Sequence, residues 1–339
     1  MKILHVVCTD AFAGVERHVA LLASAQHDAG HEVSVIGGNV RRMLAEMDRP
    51  GISSQAARTT WRGLQAINAA PAHDVLNVHM TSAEIAAALA VRARATPIVS
   101  TRHFAAHRGS TALRRTVAML AARNVAAQIA VSDYVAHHID GRSTVVRSGV
   151  RSADSRRTAD ERQGVVLVAQ RLEREKRTAV AIRAFARSGL SEQGWQLQIA
   201  GEGAERTALE RLSKQLGLGD RVAFLGHRSD VDRLMGDASI LFASRPDEAY
   251  GLSVLEAMAT GLPVVATGAG GHLETVGSVE DAALFPPGDA AAAGRLLAEL
   301  AADPARRDAY GKALQEAQRT RFTLEAQVAA TDAVYRSVL

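Results

Sequence analysis

Two glutamates stand close to a short helical pattern in the stretch SRPDEAYGLSVLEAMATGLPVVATGAGG, residues 244–271. Glu248 precedes Gly251, where a helix is predicted to begin, and Glu256 follows that glycine by about 7 Å of helix rise. The start of a helix presents backbone N–H groups that bind anions. A carboxylate further along accepts two hydrogen bonds from a ribose diol but repels a phosphate. The spacing therefore suits a nucleotide with its diphosphate beside Gly251 and its ribose at Glu256.

A glycine-rich loop, residues 268–271, follows the apolar strand pattern PVVAT and adds a second edge to the same region. We predict that its backbone N–H groups face the same anionic ligand as the helix start. Glu248 would then lie on the far side of the phosphates. A buried α/β core with two solvated glutamates fits the same pattern, and spacing alone leaves both interpretations open.

Two cations lie in one predicted loop after the buried strand pattern GVVLVAQ, residues 164–170. Arg171 and Lys176 are five positions apart at the carboxyl end of that strand, where side chains of this type bind a pyrophosphate. In the first half of the chain, His79 and His103 end two neighbouring strand patterns, and Gly14 begins the first helix. One such histidine is more often a hydrogen-bonded structural residue than a ligand, and a second at the neighbouring strand end shifts that balance somewhat towards a site.

Strand and helix patterns alternate along the whole chain and predict an α/β protein with two doubly wound parallel sheets. We predict a first domain over residues 1–150, a second over 151–320 and a terminal segment, 321–339, whose helix packs back on the first domain. The polar stretch 151–164 is interpreted as a linker. Residues 38–73 and 104–116 are interpreted as loops without a recognisable code.

Composition narrows the possible locations and partners. The single cysteine, Cys8, excludes a disulfide framework, and the absence of a signal peptide or a long apolar run predicts a cytoplasmic protein. Aromatic residues make up 4% of the chain and alternate with no basic strip, which argues against nucleic acid. The net charge of +4 is uneven, because residues 1–150 hold 16 Lys and Arg against 10 Asp and Glu. This excess suits an anionic substrate or a membrane surface.

The segment 108–123 is a candidate basic amphipathic helix in which Leu113, Val117 and Leu120 share one face. Contact with an anionic membrane at the inner face, or with a phosphate-bearing acceptor, is one interpretation. A solvated basic face on an ordinary packed helix is the other, and it is the more usual one.

Several motifs in this order resemble the retaining GT-B glycosyltransferases of the GT4 family. They are AGVE and TRHF in the first half, then AQRLEREKR, LQIAGEGAERTALE, VAFLGHRSDV, and EAYGLSVLEAMATGLPVVAT followed by GG and Glu274. The resemblance implies a GT-B fold, with two Rossmann-like domains that face a central cleft and close to complete the site. Two departures stand out: Arg177 replaces the family's glycine after Lys176, and Ala13 replaces the first glycine of a G-G-x-E loop.

The resemblance also implies a role for each matched residue. Arg171 and Lys176 would hold the donor diphosphate, Glu248 the sugar hydroxyls and Glu256 the ribose, while His103 would face the donor sugar. The remaining donor-binding residues are Gly201 (with Gly203) in a turn under the nucleotide, Gly226, His227 and Arg228 at the base, Gly251, Leu252 and Ser253 at the phosphate, and Gly14 at a phosphate approached from the first domain.

The implied activity is transfer of a hexosyl unit from a UDP- or GDP-sugar to a hydroxyl acceptor with retention, by front-face substitution. The nucleoside-diphosphate sugar is a co-substrate, and no cofactor is expected. No metal ion is expected either, on the assumption that the chain has no Asp-x-Asp motif. The acceptor could belong to a cell-surface polysaccharide or glycolipid, or be a small natural product. A non-catalytic nucleotide-sugar-binding protein remains the alternative.

Overall fold

The computed structural model describes residues 1–339, apart from the side chain of Arg92, and the chain divides into two compact units. The first unit comprises Met1–Gly149 and Leu324–Leu339, and the second comprises Val150–Thr323. The chain therefore passes from one unit to the other at residues 149/150 and 323/324, where the sequence prediction placed divisions at 150/151 and 320/321.

The first unit is built on a parallel sheet of seven strands in the order β3-β2-β1-β4-β5-β6-β7. The strands are β1 (Lys2–Val7), β2 (Glu32–Gly37), β3 (Ser53–Gln55), β4 (Val75–His79), β5 (Ile98–Arg102), β6 (Val125–Ala130) and β7 (Thr144–Val145). The helices between them are α1 (Gly14–Asp28), α2 (Val40–Met47), α3 (Thr60–Ala69), α4 (Met80–Leu89), α5 (Ala112–Ala122) and α6 (Asp133–His137).

The second unit repeats this plan with six parallel strands in the order β10-β9-β8-β11-β12-β13. Its strands are β8 (Gln163–Ala169), β9 (Gln196–Ala200), β10 (Val222–Gly226), β11 (Ala238–Ala243), β12 (Val264–Thr267) and β13 (Leu284–Phe285). Its helices are α7 (Thr178–Arg187), α8 (Arg206–Gln215), α9 (Val231–Asp237), α10 (Leu252–Ala259), α11 (Ala290–Ala302) and α12 (Pro304–Arg321); α13 (Leu324–Arg336) belongs to the first unit.

Both sheets are doubly wound, as the alternating patterns predict. The strand order reverses between β1 and β4 in the first unit and between β8 and β11 in the second, and both pairs are parallel. Loops at the carboxyl ends of such strand pairs form the ligand sites of open α/β sheets. The strands are buried on both faces, with Ile3, Val6, Val166 and Leu167 at 0% exposure, because helices cover each side.

The polar stretch 151–164 is not a linker, contrary to the sequence interpretation. Arg162 donates hydrogen bonds to the carbonyl oxygens of Met235 and Ala238, both at 2.8 Å, and of Thr260 at 2.9 Å. Arg156 pairs with Asp308 at 2.9 Å. This stretch is largely exposed, but Arg156 and Arg162 tie it to helix ends within the second unit.

Two other parts of the sequence prediction need correction. Residues 38–73, interpreted as a loop, contain α2, β3 and α3, and the 18-residue helix α12 was not predicted at all. Their patterns are weak for a physical reason. The two short helices bury few residues, and α12 carries arginines and glutamines at many positions, some of them buried through hydrogen bonds such as that of Gln315 to Ala259.

The segment 108–123 differs from the prediction at its first residue and in which face of its helix is buried. Arg108 is buried and bonds to Glu84 at 2.7 and 2.9 Å, so it anchors the loop after β5. On α5, Ala118 and Ala121 form the buried face, whereas Leu113 is 75% exposed. The helix packs through this alanine face, as the interpretation of an ordinary packed helix expects, while the apolar stripe of Leu113, Val117 and Leu120 is uncovered. In the part of the chain that the structure describes, no helix is both long enough and apolar enough to cross a bilayer.

Candidate functional site

The centre of the candidate site in the second unit is an ion pair between Lys176 and Glu248. Lys176 Nζ lies 2.7 Å from Glu248 Oε2, and the two side chains are 16% and 17% exposed. Burial alone would raise the pKa of Glu248, but the nearby charges of Lys176 and Arg245 lower it overall. The Glu248 carboxylate is consequently charged at neutral pH. The structure thus brings together two predicted residues that are 72 positions apart.

Two uncharged side chains hold the loop that carries Lys176. Ser244 Oγ donates to the Lys176 carbonyl at 2.7 Å, and Gln170 Nε2 donates to the same oxygen at 3.1 Å and to Thr178 Oγ1 at 2.9 Å. Gln170 and Ser244 follow β8 and β11, the two strands at the reversal of strand order. Neither residue was predicted from the sequence. Their position directly after these two strands indicates a place where ligand sites form in α/β sheets.

The loop keeps a glycine-like backbone although it contains no glycine at the expected position. Arg177 has φ +54° and ψ +35°, the left-handed conformation in which glycine is favoured. Arg177 therefore occupies a backbone conformation that glycine would adopt without strain.

Arg171 lies on the same loop but is far more exposed than Lys176. Its side chain is 59% exposed, and Nη2 lies 3.1 Å from Glu175 Oε1. An ion pair this exposed contributes little to stability, so the guanidinium is available to a stronger anionic partner. Arg171 and Lys176 thus differ in how firmly the protein holds them.

The glycines at Gly201 and Gly203 allow close contact between two loops. A Cβ at Gly201 would lie 1.9 Å from the Gln170 carbonyl oxygen, and one at Gly203 would lie 2.4 Å from that of Leu172. The Leu172 N–H also donates to the Glu202 carbonyl at 2.8 Å. These glycines therefore fix the backbone of the Arg171 loop against the end of β9.

The predicted base-binding residues follow β10. Gly226 has φ +67°, and its carbonyl accepts a hydrogen bond from the Gly201 N–H at 2.8 Å, while His227 is exposed. Arg228 is held by Asp230, with Nε at 2.8 Å and Nη2 at 2.7 Å. The structure places these residues beside the Gly201 turn.

An Asp-x-Asp triplet is present after all, so the assumption that the chain lacks one is wrong. Asp230 and Asp232 form it. Hydrogen bonds from Arg228 and Arg233 hold the pKa of Asp230 well below its usual range. The Asp230 carboxylate therefore accepts hydrogen bonds from two arginines of its own segment.

Helix α10 begins without a side-chain cap. Its N-cap is Gly251, with φ +90°, and no side chain bonds to the first turn at that position. Leu252 and Ser253 form this first turn and are half-buried, and Glu256 lies one turn further on, also half-buried. The helix start is thus uncapped, and its binding of an anion stays a prediction.

Most N–H groups of the glycine-rich loop at residues 268–271 bond to carbonyls of the second unit, contrary to the prediction that the loop faces an anion. The N–H groups of Gly268 and Gly271 donate to the carbonyls of Phe285 and Glu248 at 2.7 and 2.8 Å, so they do not face a ligand. A Cβ at Gly270 would lie 2.7 Å from the Glu248 carbonyl. These glycines instead allow close contact with the loop that carries Glu248.

Two further charged or titratable residues border Glu248 and were missed by the sequence analysis. Arg245 bonds to Asp247 at 3.0 Å and lowers the pKa of Glu248. His272 is buried, with Nδ1 3.2 Å from the Thr267 carbonyl, and burial lowers its pKa although Glu248 opposes the shift. The interaction of His272 with Glu248 joins two separate loops, and no spacing rule indicated it.

In the first unit, the loop after β1 leads into α1 at Gly14. A Cβ at Gly14 would meet no atom within 4 Å, so the fold does not require a glycine there. Glu16 is buried, and its Oε2 accepts from the Ala13 N–H at 2.8 Å, which braces the loop. Gly14 therefore stands at an open helix start, with space for a ligand to approach its backbone.

His103 lies at the carboxyl end of β5, beside the end of β4. Its Nε2 lies 2.9 Å from His79 Nδ1, so the two histidines that ended neighbouring strand patterns contact each other. Burial lowers the pKa of both rings well below the usual value, and neighbouring histidines add to the effect. Both rings are therefore neutral at pH 7.

Comparison with protein families matches almost the whole chain. Residues 151–317 match the family described as Glycosyl transferases group 1, and residues 12–151 match Glycosyltransferase Family 4. Each match falls within one of the two units, apart from residues at the boundary.

Among curated proteins, the chain is 30% identical over 232 residues to a lipopolysaccharide core biosynthesis mannosyltransferase, LpcC, of Rhizobium leguminosarum bv. viciae, which covers 64% of this chain and 66% of that one. It is also 30% identical over 200 residues to a 2-deoxystreptamine glucosyltransferase of Streptomyces kanamyceticus, covering 58% of this chain and 51% of that one. The chain thus spans only part of the length of these relatives.

Among solved structures, Anabaena HepE in complex with UDP and glucose superposes with a TM-score of 0.83 at 21% identity, covering 100% of both chains. At this identity the comparison establishes the shared GT-B fold.

Proposed function

This chain belongs to the group 1 glycosyltransferases, and from that premise we propose that it transfers a hexosyl unit from a nucleoside-diphosphate sugar to a hydroxyl acceptor with retention at the anomeric carbon. One observation above all supports the proposal. Lys176, paired with Glu248 at 2.7 Å, lies on the loop after β8, and the uncapped start of α10 follows β11, the neighbouring strand. The cation Lys176 and the start of α10, which can bind anions, thus follow two adjacent strands where the strand order reverses. Sheets of α/β proteins bind phosphates at this position.

In the proposed reaction the bond between the anomeric carbon and the β-phosphate oxygen breaks, and the acceptor oxygen bonds to that carbon on the same face. The acceptor's proton passes to the departing phosphate oxygen. Arg171, Lys176 and the backbone N–H groups of Leu252 and Ser253 stabilise the leaving diphosphate. Because side-chain cations neutralise this charge, we propose that the reaction needs no metal ion.

The remaining donor contacts follow from the same placement. Glu248 accepts hydrogen bonds from sugar hydroxyls, and Glu256 accepts two from the ribose. The backbone around Gly226, His227 and Arg228 receives the base. For Gly14 and His103, both in the first unit, a role at a phosphate and at the sugar is what the family resemblance implies.

The comparisons support particular choices of donor and acceptor. Anabaena HepE is described with UDP and glucose, which favours a UDP-sugar over a GDP-sugar as the first donor to test. The mannosyltransferase acts in lipopolysaccharide core synthesis, which favours a surface glycan or glycolipid acceptor. The match to a 2-deoxystreptamine glucosyltransferase keeps a small natural product as the second candidate.

A membrane-bound acceptor would explain the uncovered face of α5, and we propose that this face contacts an anionic bilayer. Leu113 and Leu120 are 75% and 52% exposed, and Val117 lies between them at 43%. Arg114 and Arg123 border the stripe. Exposed apolar side chains flanked by arginines match the apolar interior and negative surface of such a bilayer.

The test is a donor screen with purified protein in the presence of EDTA. Calorimetric titration with UDP and GDP identifies the base, and release of nucleotide from the matching sugar donors identifies the reaction. Lys176→Ala should lower the rate on the order of 10²–10³-fold, whereas Lys214→Ala, at an exposed position on α8, should not. Full activity of Lys176→Ala would refute the assignment, and nucleotide binding without turnover would indicate a binding protein.

A further inference from the structure

The first unit has an open groove between α5 and the first half of β6. Its volume is about 760 Å³, and sites of about 300–1,000 Å³ are typical for small ligands. β6 contributes residues 125–128, and the loop after α6 contributes residues 140–142. α5 and its C-cap contribute one helical face, with residues three or four positions apart: Ala112, Thr116, Met119 and Arg123. The groove therefore lies wholly within the first unit.

Two features of the sequence leave this groove unfilled. The outer neighbour of β6, β7, pairs only with Ile129 and Ala130, so the outer edge of residues 125–128 has no partner strand in the described sheet. Ala122 and Ala126 give the walls no more than a methyl group each. Apolar atoms line most of the resulting space, and exposed apolar grooves of this kind mark sites where a ligand or a membrane binds.

The apolar lining is continuous with the uncovered stripe of α5. Leu120 lines the groove and also belongs to the stripe that includes Leu113 and Val117. Met119, on the groove side of the helix, is 43% exposed. A hydrocarbon chain at the stripe thus meets an apolar surface that leads into the groove.

The polar groups of the groove leave an excess of positive charge. Glu84 bonds to Arg108 at 2.7 and 2.9 Å, and Asp140 accepts a hydrogen bond from the Arg108 N–H at 2.7 Å. Arg123 and Arg142, by contrast, are exposed and have no ion-pair partner in the described part of the chain. We call these two the rim arginines. Apolar walls bordered by free guanidinium groups suit a hydrocarbon chain that ends in a phosphate.

We propose that this groove binds one acyl chain of an anionic membrane phospholipid, whose phosphate interacts with the rim arginines. The membrane as source of the lipid rests on the contact of α5 that is part of the proposed function, but the site requires neither the sugar donor nor its acceptor. Because each buried methylene raises affinity about fourfold, a chain held in the groove would anchor the first unit more firmly than the stripe alone.

A second copy of the chain is a poorer occupant because of its charge. In a two-fold symmetric contact, the same patch of both copies forms the interface. Arg115, Arg123 and Arg142 would then lie near their own counterparts, and like charges brought together in an interface oppose association. An anionic lipid brings the opposite charge to the same arginines.

The test is calorimetric titration of the full chain with alkyl phosphates below their micelle concentration, so that no bilayer is present. One dodecyl phosphate should bind per chain, and its affinity should exceed that of decyl phosphate about ten- to fifteenfold, as two methylenes predict. Inorganic phosphate should not bind measurably. Dodecylphosphocholine should bind about fivefold or more weakly, because its head carries no net charge.

Two variants locate the site. Ala126→Trp fills the groove at an exposed position and should abolish binding of dodecyl phosphate, whereas Ala329→Trp, at an exposed position on α13, should not. Arg142→Ala should weaken binding about fivefold through the loss of one charge. Melting temperatures show that the variants are folded. As a measurement that needs no variant, an alkyl phosphate with a terminal diazirine should label Met119 or residues 125–128 of the wild type.

Three results would overturn the proposal. The first is an affinity that does not depend on chain length or a label outside the groove. The second is a lipid-free dimer that Ala126→Trp dissociates, which would assign the groove to a second copy. The third is binding of dodecyl phosphate without sedimentation on phosphatidylglycerol vesicles, which would exclude a bilayer as the source. Failure of sugar transfer would refute the proposed function and leave each of these results decisive for the groove.

Discussion

Lys176 Nζ and Glu248 Oε2 lie 2.7 Å apart on the loops that follow β8 and β11, so the cation proposed to bind phosphate is held by a carboxylate of the same unit. The pair is mostly withdrawn from water, in contrast to Arg171 and Glu175 on the same loop, which are 59% and 40% exposed. A phosphate that binds Lys176 must therefore compete with Glu248. Once the phosphate has taken the place of Glu248, that carboxylate is available to accept hydrogen bonds from sugar hydroxyls.

This pairing predicts a stability effect that the sequence analysis did not expect. Lys176→Met should lower the free energy of unfolding by about 1–3 kcal/mol, because it leaves a mostly buried carboxylate without its main partner. Denaturant unfolding of Lys176→Met, Glu248→Gln and the double variant measures the coupling. The same cycle at Arg171 and Glu175 should give at most about 1 kcal/mol. Equal coupling in the two cycles would contradict the prediction.

Arg177 in its left-handed conformation predicts that Arg177→Gly stabilises the protein. Relief of the steric strain, about 1–2 kcal/mol, should outweigh the added flexibility of glycine in the unfolded chain, about 0.5–1 kcal/mol. The melting temperature should therefore rise by a few degrees. Arg183→Gly, at an exposed position inside α7, is the matched control and should lower it. A fall in both variants would show that Arg177 bears no strain.

Gly14 predicts a separation of stability from activity. Gly14→Ala adds a methyl group that meets nothing within 4 Å, so the melting temperature should not fall. If a donor phosphate approaches this backbone, kcat/KM should drop roughly ten- to a hundredfold through misplacement of the donor. Gly236→Ala in α9, where a Cβ also meets nothing, is the control and should leave kcat/KM unchanged. Unchanged kinetics in Gly14→Ala would place the donor elsewhere.

The buried histidines predict that the first unit loses stability in mild acid. The pKa of His5 falls to about 4 and that of His18 to about 3 on folding, from 6.5 in the unfolded chain, and those of His79 and His103 fall as well. Below pH 6.5 the unfolded state binds protons that the folded state does not. Each histidine then costs about 1.4 kcal/mol per pH unit until its folded pKa is reached.

Scanning calorimetry between pH 7.5 and pH 5 tests this expectation. The transition of the first unit, with four such histidines, should shift to lower temperature more than that of the second unit, where burial lowers the pKa of His272. His18→Asn should reduce the slope of stability with pH in the first unit. Equal shifts of the two transitions would contradict the assignment.

The uncovered face of α5 predicts binding to anionic vesicles. The protein should sediment with vesicles of phosphatidylglycerol, and less with phosphatidylcholine, because arginines border the apolar stripe. Leu113→Asp with Leu120→Asp should abolish sedimentation without loss of stability, since both side chains are exposed. Leu216→Asp, on an exposed leucine of the second unit, is the control. Equal binding of all variants would exclude this face.

Local patterns were sufficient to predict the α/β class, the two doubly wound sheets and the group 1 glycosyltransferase family. Burial on both faces makes most parallel strands continuous apolar runs, and each crossover needs a helix, so this architecture is visible in short windows wherever those runs are strong. The same locality explains why Lys176, Glu248, Gly251 and His103 could be named as candidates. Gly251 begins a helix pattern and His103 ends a strand pattern, while Lys176 and Glu248 lie in the loops that follow two strand patterns.

Tertiary structure decided what each of these residues contacts. His5, His79 and His103 are 74 and 24 positions apart along the chain, and only the pairing of β1 with β4 and of β4 with β5 makes them neighbours. Periodicity shows which side chains of α5 share a face, but whether another element covers that face depends on the whole fold. Glycines likewise look alike in sequence, although Gly270 accommodates the chain's own backbone and Gly14 faces open space. Contacts between distant segments follow from packing, and spacing along the chain does not encode them.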